Sequence, residues 1–180
     1  MKIFSPISRR VIRLFIGLAF LLLLLVLAGP FFIPVPPLKN TFSPEELADP
    51  ESRFIEVDGL NFHYKTQGQG EPTLLLFHGF SANVFTWHRV MEPLAQIGTV
   101  VAYDRIASGL TQRVIPGQWQ GENPYLPSQQ VAQAIGLMDA LGIEKTILIG
   151  NSAGGNIALQ TALAHPERVT GLSLAGAAVS

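Results

Sequence analysis

The 180-residue chain contains no cysteine. A thiol nucleophile, disulfides, zinc thiolates and iron–sulfur clusters are thereby excluded. Charged residues are also scarce, at 14%, and the formal net charge is −1, so there is no electrostatic footprint for nucleic acid. Apolar residues make up 48%, which is the composition of a folding chain and not of a disordered one.

The few charges are unevenly placed. Residues 1–40 hold Lys2, Arg9, Arg10, Arg13 and Lys39 and no acid, whereas residues 41–180 hold seven bases against thirteen acids, a net of −6. No charged residue occurs between positions 14 and 38. As a helix, the apolar residues 14–33 would span about 30 Å, the thickness of a bilayer core. Gly29-Pro30 lies near the end of this run, and Pro34, Pro36 and Pro37 stop any helix beyond it.

Four positive charges precede the run and one follows it. The positive-inside rule therefore assigns residues 1–13 to the cytoplasm, residues 14–33 to a single transmembrane signal anchor, and the rest to the extracytoplasmic side. A cleaved signal peptide would have a shorter apolar run and an Ala-x-Ala-like site, for which Leu27-Ala28-Gly29-Pro30 is a poor candidate. A buried core helix is the third reading, and three arginines at one end argue against it. Residues 34–53 carry five prolines and read as a linker, with one short helix capped by Ser43 and opened by Pro44.

From residue 54 the pattern changes to strands alternating with helices. Residues 54–57 and 60–65 read as a hairpin closed by Asp58-Gly59. Residues 73–77, 99–103 and 146–149 are short, continuous apolar runs, as strands buried on both faces require. Residues 83–96 have helical spacing that Pro93 weakens or kinks. A long polar stretch fills 105–127, and Ser128 is expected to cap a helix that Gly142 ends. A helix over 153–164 and a last strand over 169–175 complete the order. The expectation is an α/β fold with a mostly parallel sheet and helices on both faces, preceded by the one transmembrane helix.

Gly150-Asn151-Ser152-Ala153-Gly154 fits G-x-S-x-G between a buried strand and a helix. That is the context of a nucleophile elbow. A sharp strand-to-helix turn strains the serine backbone, glycines leave room where side chains would collide, and the hydroxyl projects clear of the sheet. The N–H of Ala153, at a helix N-terminus, can then stabilise an oxyanion. A plain Gly/Ser turn is the competing reading.

At these residues the chain resembles the α/β-hydrolase family, over residues 54–180. His78-Gly79-Phe80 resembles the family's H-G-x segment, which implies the N–H of Phe80 as the second oxyanion donor and a structural role for His78. The run Tyr103-Asp104-Arg105-Ile106-Ala107-Ser108-Gly109-Leu110-Thr111 resembles the D-R-x-G-x-G-x-S turn, with Ala107 where the first glycine usually stands. Asp104 and Arg105 are expected to be a turn-fixing pair. His165-Pro166-Glu167-Arg168-Val169 resembles the segment after the elbow helix. The resemblance implies a hydrolase with Ser152 as nucleophile, acting by acyl transfer on an ester, amide or related carbonyl, with no cofactor and no metal. A serine elbow separates the chain from the dehalogenase and epoxide-hydrolase branches, which use aspartate there. Carbon–carbon bond hydrolases and cofactor-free haloperoxidase-like members remain open.

A serine hydroxyl needs a histidine to take its proton and an acid to orient that histidine. After Ser152 only His165 and Glu167 are available, in inverted order. His165 stands about 18 Å along the helix from the elbow. His63 and His88 precede the elbow and match no catalytic position. The expectation is that the acid and base lie beyond residue 180, that the cap and last strands are absent, and that the chain is the N-terminal portion of a longer hydrolase. The alternatives are a non-catalytic membrane-anchored binding protein and a fragment completed by a second chain. The expected partners are a small-molecule substrate and the membrane, with no nucleic acid. Phe80, Val84, Trp87 and Trp119 are candidates for an apolar lining or for ordinary core.

Overall fold

The structure, a computed structural model, describes residues 8–34, 39–115 and 117–177. Lys2, Pro36, Pro37 and the last three residues lie outside them. The chain divides into two compact units, with the boundary between Thr41 and Phe42.

The first unit is built on α1 (Arg9–Ala28), continued by a 3-10 turn over Gly29–Phe32. Ser8 caps it by accepting the Val11 N–H, so Arg9, Arg10 and Arg13 lie inside the helix and not ahead of it. Pro30 has no N–H to continue an α-helical ladder, and the tighter turn begins there. Arg9–Phe32 is long and apolar enough to cross a membrane, and its leucines and phenylalanines are exposed.

In the second unit, α2 (Pro44–Leu47) carries a reciprocal capping box between Ser43 and Glu46. The sheet follows. β1 (Arg53–Val57) and β2 (Leu60–Gln67) form a hairpin whose two turn residues, Asp58 and Gly59, both have positive φ. That twist matches the strands it joins. β3 (Thr73–Phe77) is buried at all five positions. α3 (Met91–Leu94) precedes β4 (Thr99–Tyr103), and α4 (Pro127–Ala140) precedes β5 (Thr146–Asn151). α5 (Ala153–Ala164) leads to β6 (Val169–Ala175). The strand order is β1-β2-β4-β3-β5-β6, antiparallel through β4 and parallel from β4 to β6.

Alternate residues of the central strands feed two apolar layers. Leu75, Phe77, Val101, Tyr103 and Leu148 pack with Val131, Leu137, Met138 and Ile157 from α4 and α5. Leu74, Leu76, Val100 and Ala102 pack on the other face with Val84, Trp87 and Met91. The central strands are thus covered on both sides, as their continuous apolar runs require, whereas β6 is largely exposed.

Two local expectations change. Residues 83–96 are not one helix but a 3-10 turn over Val84–Trp87 followed by the single turn of α3. Pro93 lacks an N–H, and its ring would clash with the carbonyl four residues back. Ser128 does not cap α4; Pro127 opens it and Leu126 holds the cap position without a side-chain bond. The last strand ends at Ala175 as expected, and Gly176 turns there with φ +59°. Between Ile106 and Leu126 the described residues form no helix or strand, and Tyr125 pins the stretch by bonding both the N–H and the carbonyl of Val114 at 2.8 Å.

Candidate active site

Ser152 connects β5 to α5 with φ +50° and ψ −121°. A non-glycine residue is strained there, and the surroundings over-determine it. Its N–H bonds the Ala175 carbonyl at 2.9 Å, and its carbonyl accepts the Gly155 N–H at 3.0 Å. A methyl group at Gly150 would strike the Gly155 backbone, and one at Gly154 would strike the carbonyls of Phe77 and His78. The two glycines of the motif are therefore places where the chain passes too close to itself for a side chain. The Ser152 residue is left exposed.

The segment after β3 lies against this turn. A Cβ on Gly79 would stand 3.3 Å from the Ser152 Cβ. Phe77 pairs with Gly150 across the parallel β3–β5 ladder. Phe80 and Ala153, the two expected oxyanion donors, are each three positions beyond that pair. Both line a cavity of about 680 Å³, together with Arg105, Ile106, Tyr125 and Ile157. Phe80 is exposed on it, whereas Val84 and Trp87 belong to the core under the sheet and Trp119 packs on the other apolar layer.

His78 is fully buried, with both ring nitrogens used. Nε2 accepts the Arg105 N–H at 3.0 Å, so Nδ1 carries the proton and donates it to the Gly79 carbonyl at 2.8 Å. Burial, the largest influence, holds its pKa below the usual histidine value.

Asp104 and Arg105 do not pair with each other, contrary to expectation. Asp104 Oδ1 accepts the Val84 N–H at 2.7 Å; Oδ2 accepts the Leu110 N–H at 2.8 Å and the His63 Nδ1–H at 2.7 Å. Burial pushes this carboxyl up, but the bonds from His63, Leu110 and Val84 outweigh it and hold its pKa below the ordinary value. Arg105 turns elsewhere, to the Gln130 side-chain oxygen at 3.0 Å and the Gly79 carbonyl at 3.3 Å. Ala107 takes φ +63°, so the turn keeps a left-handed residue where the family's glycine usually stands. Gly109 is packed so closely on Asp104 that a side chain there would strike its carboxylate.

The His63 connection is what sequence reading missed. Its Nε2 lies 2.9 Å from the Ser52 hydroxyl, which also bonds Asp49, and Asp49 pairs with Lys65. The chain Asp104–His63–Ser52–Asp49 borders a second, polar cavity of about 780 Å³; Ser152 itself is in the lining of neither cavity. The available signal was the alternation of β2: Phe62 and His63 are both buried, so His63 must find a polar partner on the face opposite Phe62.

His165 caps the far end of α5, 3.5 Å from Glu167. Among the described residues Ser152 has no histidine partner, and no three His, Asp or Glu side chains gather as a metal site.

With this geometry in view, residues 72–180 match the family model of the alpha/beta hydrolase fold. The chain belongs to that family. It is 38% identical over 129 residues to 2-hydroxymuconate semialdehyde hydrolase of Pseudomonas sp., covering 70% of this chain and 43% of that protein. It is 36% identical over 134 residues to the dihydrolipoyllysine-residue acetyltransferase component of an acetoin cleaving system of Cupriavidus necator, covering 72% and 33%. Among solved structures, a meta-cleavage product hydrolase superposes with TM-score 0.62 at 34% identity, covering 69% and 45%. An epoxide hydrolase of Vigna radiata does so with TM-score 0.63 at 27% identity, covering 69% and 37%. The chain thus spans less than half the length of these relatives.

Proposed function

We propose that the chain is the N-terminal part of a membrane-anchored serine hydrolase that works by acyl transfer. The observation that carries this reading is the backbone of Ser152, held at φ +50° between β5 and α5 with its side of the turn open. Strain of this kind costs about 1–3 kcal/mol. It persists here because it lifts one hydroxyl clear of the sheet beside two N–H groups.

In this reaction the Ser152 Oγ forms a bond to the carbonyl carbon of an ester, amide or related substrate, and a histidine takes its proton. The carbonyl oxygen becomes an oxyanion between the N–H groups of Phe80 and Ala153. The tetrahedral intermediate collapses, the leaving group departs with the proton, and the acyl-enzyme remains. Water then attacks the acyl carbon and restores the serine. The histidine and its acid belong to the part of the hydrolase fold that the longer relatives have and residues 54–180 do not cover. Hydrolysis by the Pseudomonas relative, as its name states, supports the reaction class.

The helix Arg9–Phe32 serves as an uncleaved anchor. Its arginines face the cytoplasm by the positive-inside rule, and the hydrolase domain is extracytoplasmic.

The test is labelling of the full-length protein in its native membrane with a fluorophosphonate. The expected result is a tag on Ser152 that Ser152→Ala abolishes. An active full-length enzyme whose turnover survives Ser152→Ala refutes the nucleophile. A folded full-length protein that never labels supports the alternative, a non-catalytic membrane-anchored binding protein.

A further inference from the structure

Arg105 is buried to nine-tenths, with a relative exposure of 9%, yet its guanidinium bonds only two neutral oxygens, on Gln130 and Gly79. Among the described residues no carboxylate pairs with it. The nearest in sequence, Asp104, is fully committed to Val84, Leu110 and His63. The Arg105 Nε–H has no partner among the described residues. A guanidinium stays charged at any working pH, and burying one without a counter-charge is costly. Such a cost persists where the missing negative charge is supplied at another moment.

The Gly79 carbonyl accepts from both the Arg105 guanidinium and the His78 Nδ1–H. That carbonyl and the Phe80 N–H are opposite ends of one planar, trans peptide. Holding the oxygen therefore fixes where the N–H points, away from Arg105 and His78. A hydrogen bond to a peptide oxygen also polarises its N–H, the more so when the donor is charged. Arg105 and Phe80 both line the cavity that Ala153 shares.

We propose that Arg105 is a positioning residue for acyl transfer: its charge, without a carboxylate partner among the described residues, clamps and polarises the Gly79–Phe80 peptide, and the oxyanion formed at Phe80 and Ala153 serves as its counter-charge. This rests on the reading of Ser152 as nucleophile and Phe80 as oxyanion donor. The ground-state carbonyl is neutral and gains little from the guanidinium. The tetrahedral oxyanion gains much, so the effect belongs in kcat and not in KM.

The experiment uses the full-length protein with p-nitrophenyl butyrate as substrate and phenylboronic acid as a tetrahedral, anionic mimic. Arg105→Gln is expected to lower kcat by about 10–100-fold, less than or at most equal to the roughly 100–1,000-fold loss of a whole oxyanion donor. KM should stay within about twofold, and boronate affinity should fall in parallel with kcat. Arg105→Lys should recover part of kcat by restoring charge without the fork. Gln130→Glu keeps the arginine and gives it a resident carboxylate, at the loss of the bond that Gln130 donates to the Tyr125 carbonyl. It is expected to lower kcat and boronate affinity about tenfold, half the logarithmic effect of a hundredfold donor loss. This variant decides the matter if the Arg105 variants do not fold. Wild-type kcat in Gln130→Glu, or a loss in Arg105→Gln confined to KM or to thermal midpoint, overturns the proposal. Turnover that survives Ser152→Ala overturns the underlying reading and the proposal with it; loss in Ser152→Ala with normal kcat in Arg105→Gln overturns the proposal alone.

Discussion

His63 and Asp104, 41 positions apart, meet side chain to side chain at 2.7 Å, with both residues buried. The contact ties β2 to the turn after β4. Through Ser52 it also ties down the segment that enters the sheet. Removing the Asp104 carboxylate leaves the N–H groups of Val84 and Leu110 and the His63 ring without their acceptor, so Asp104→Ala is expected to cost about 3 kcal/mol or more in a denaturation experiment.

The same carboxyl gives stability a pH dependence. Its pKa in the folded protein is lowered, so unfolding raises its affinity for protons. The stabilisation is therefore fully present above the ordinary carboxylate pKa of 3.8 and is lost as pH falls below it, through the folded value. The gap in thermal midpoint between the native protein and Asp104→Asn should be widest near neutrality and should close below about pH 4. A gap that widens on acidification contradicts the assignment.

Ala107 holds φ +63°, a left-handed conformation that glycine adopts without the Cβ penalty. Ala107→Gly is expected to raise stability by about 1 kcal/mol, the relief outweighing the added freedom of the unfolded chain. Gly109→Ala in the same turn should do the reverse, because φ is +47° and the new methyl strikes the Asp104 carboxylate. Denaturant midpoints of the two variants provide the check.

Much of this was legible in the residues, and what was not has a common cause. The five apolar residues of β3 and the Gly150-Asn151-Ser152-Ala153-Gly154 turn are local patterns, and the fold follows them. The break between Trp87 and Met91 was half visible, since Pro93 marked the weakness without saying that a 3-10 turn would replace the helix. The partners of His63, Asp104 and Arg105 were not visible, because each lies on an element that only the strand order brings near. Adjacent in sequence, Asp104 and Arg105 invite pairing; the sheet sends one towards β2 and the other towards the loop after β3.

Ser152 offers a separation of stability from chemistry. Ser152→Gly relieves the positive φ and is expected to stabilise the domain by about 1 kcal/mol while abolishing fluorophosphonate labelling. Gly154→Ala keeps the serine but forces a methyl against the Phe77 and His78 carbonyls. It should cost about 3 kcal/mol or more. Equal and small effects of the two substitutions would mean that the turn relaxes freely.

The apolar helix makes a prediction of its own. The full-length protein should stay with membranes after alkaline carbonate extraction, and a chain lacking residues 1–33 should be released. Protease added from the extracytoplasmic side should reach the domain, and the opposite accessibility would reverse the proposed orientation.

Phe80 and Ala153 each follow a sheet pair, Phe77 and Gly150, by three residues. In the proposed reaction the spacing of their N–H groups depends on the length of those two steps. A residue inserted or deleted between Phe77 and Phe80, or between Gly150 and Ala153, would put the proposed donors out of step. An insertion between Gly109 and Leu126 would leave both steps untouched. On that reading the long loop can change length without disturbing the groups proposed to hold the charge, and the two three-residue stretches cannot.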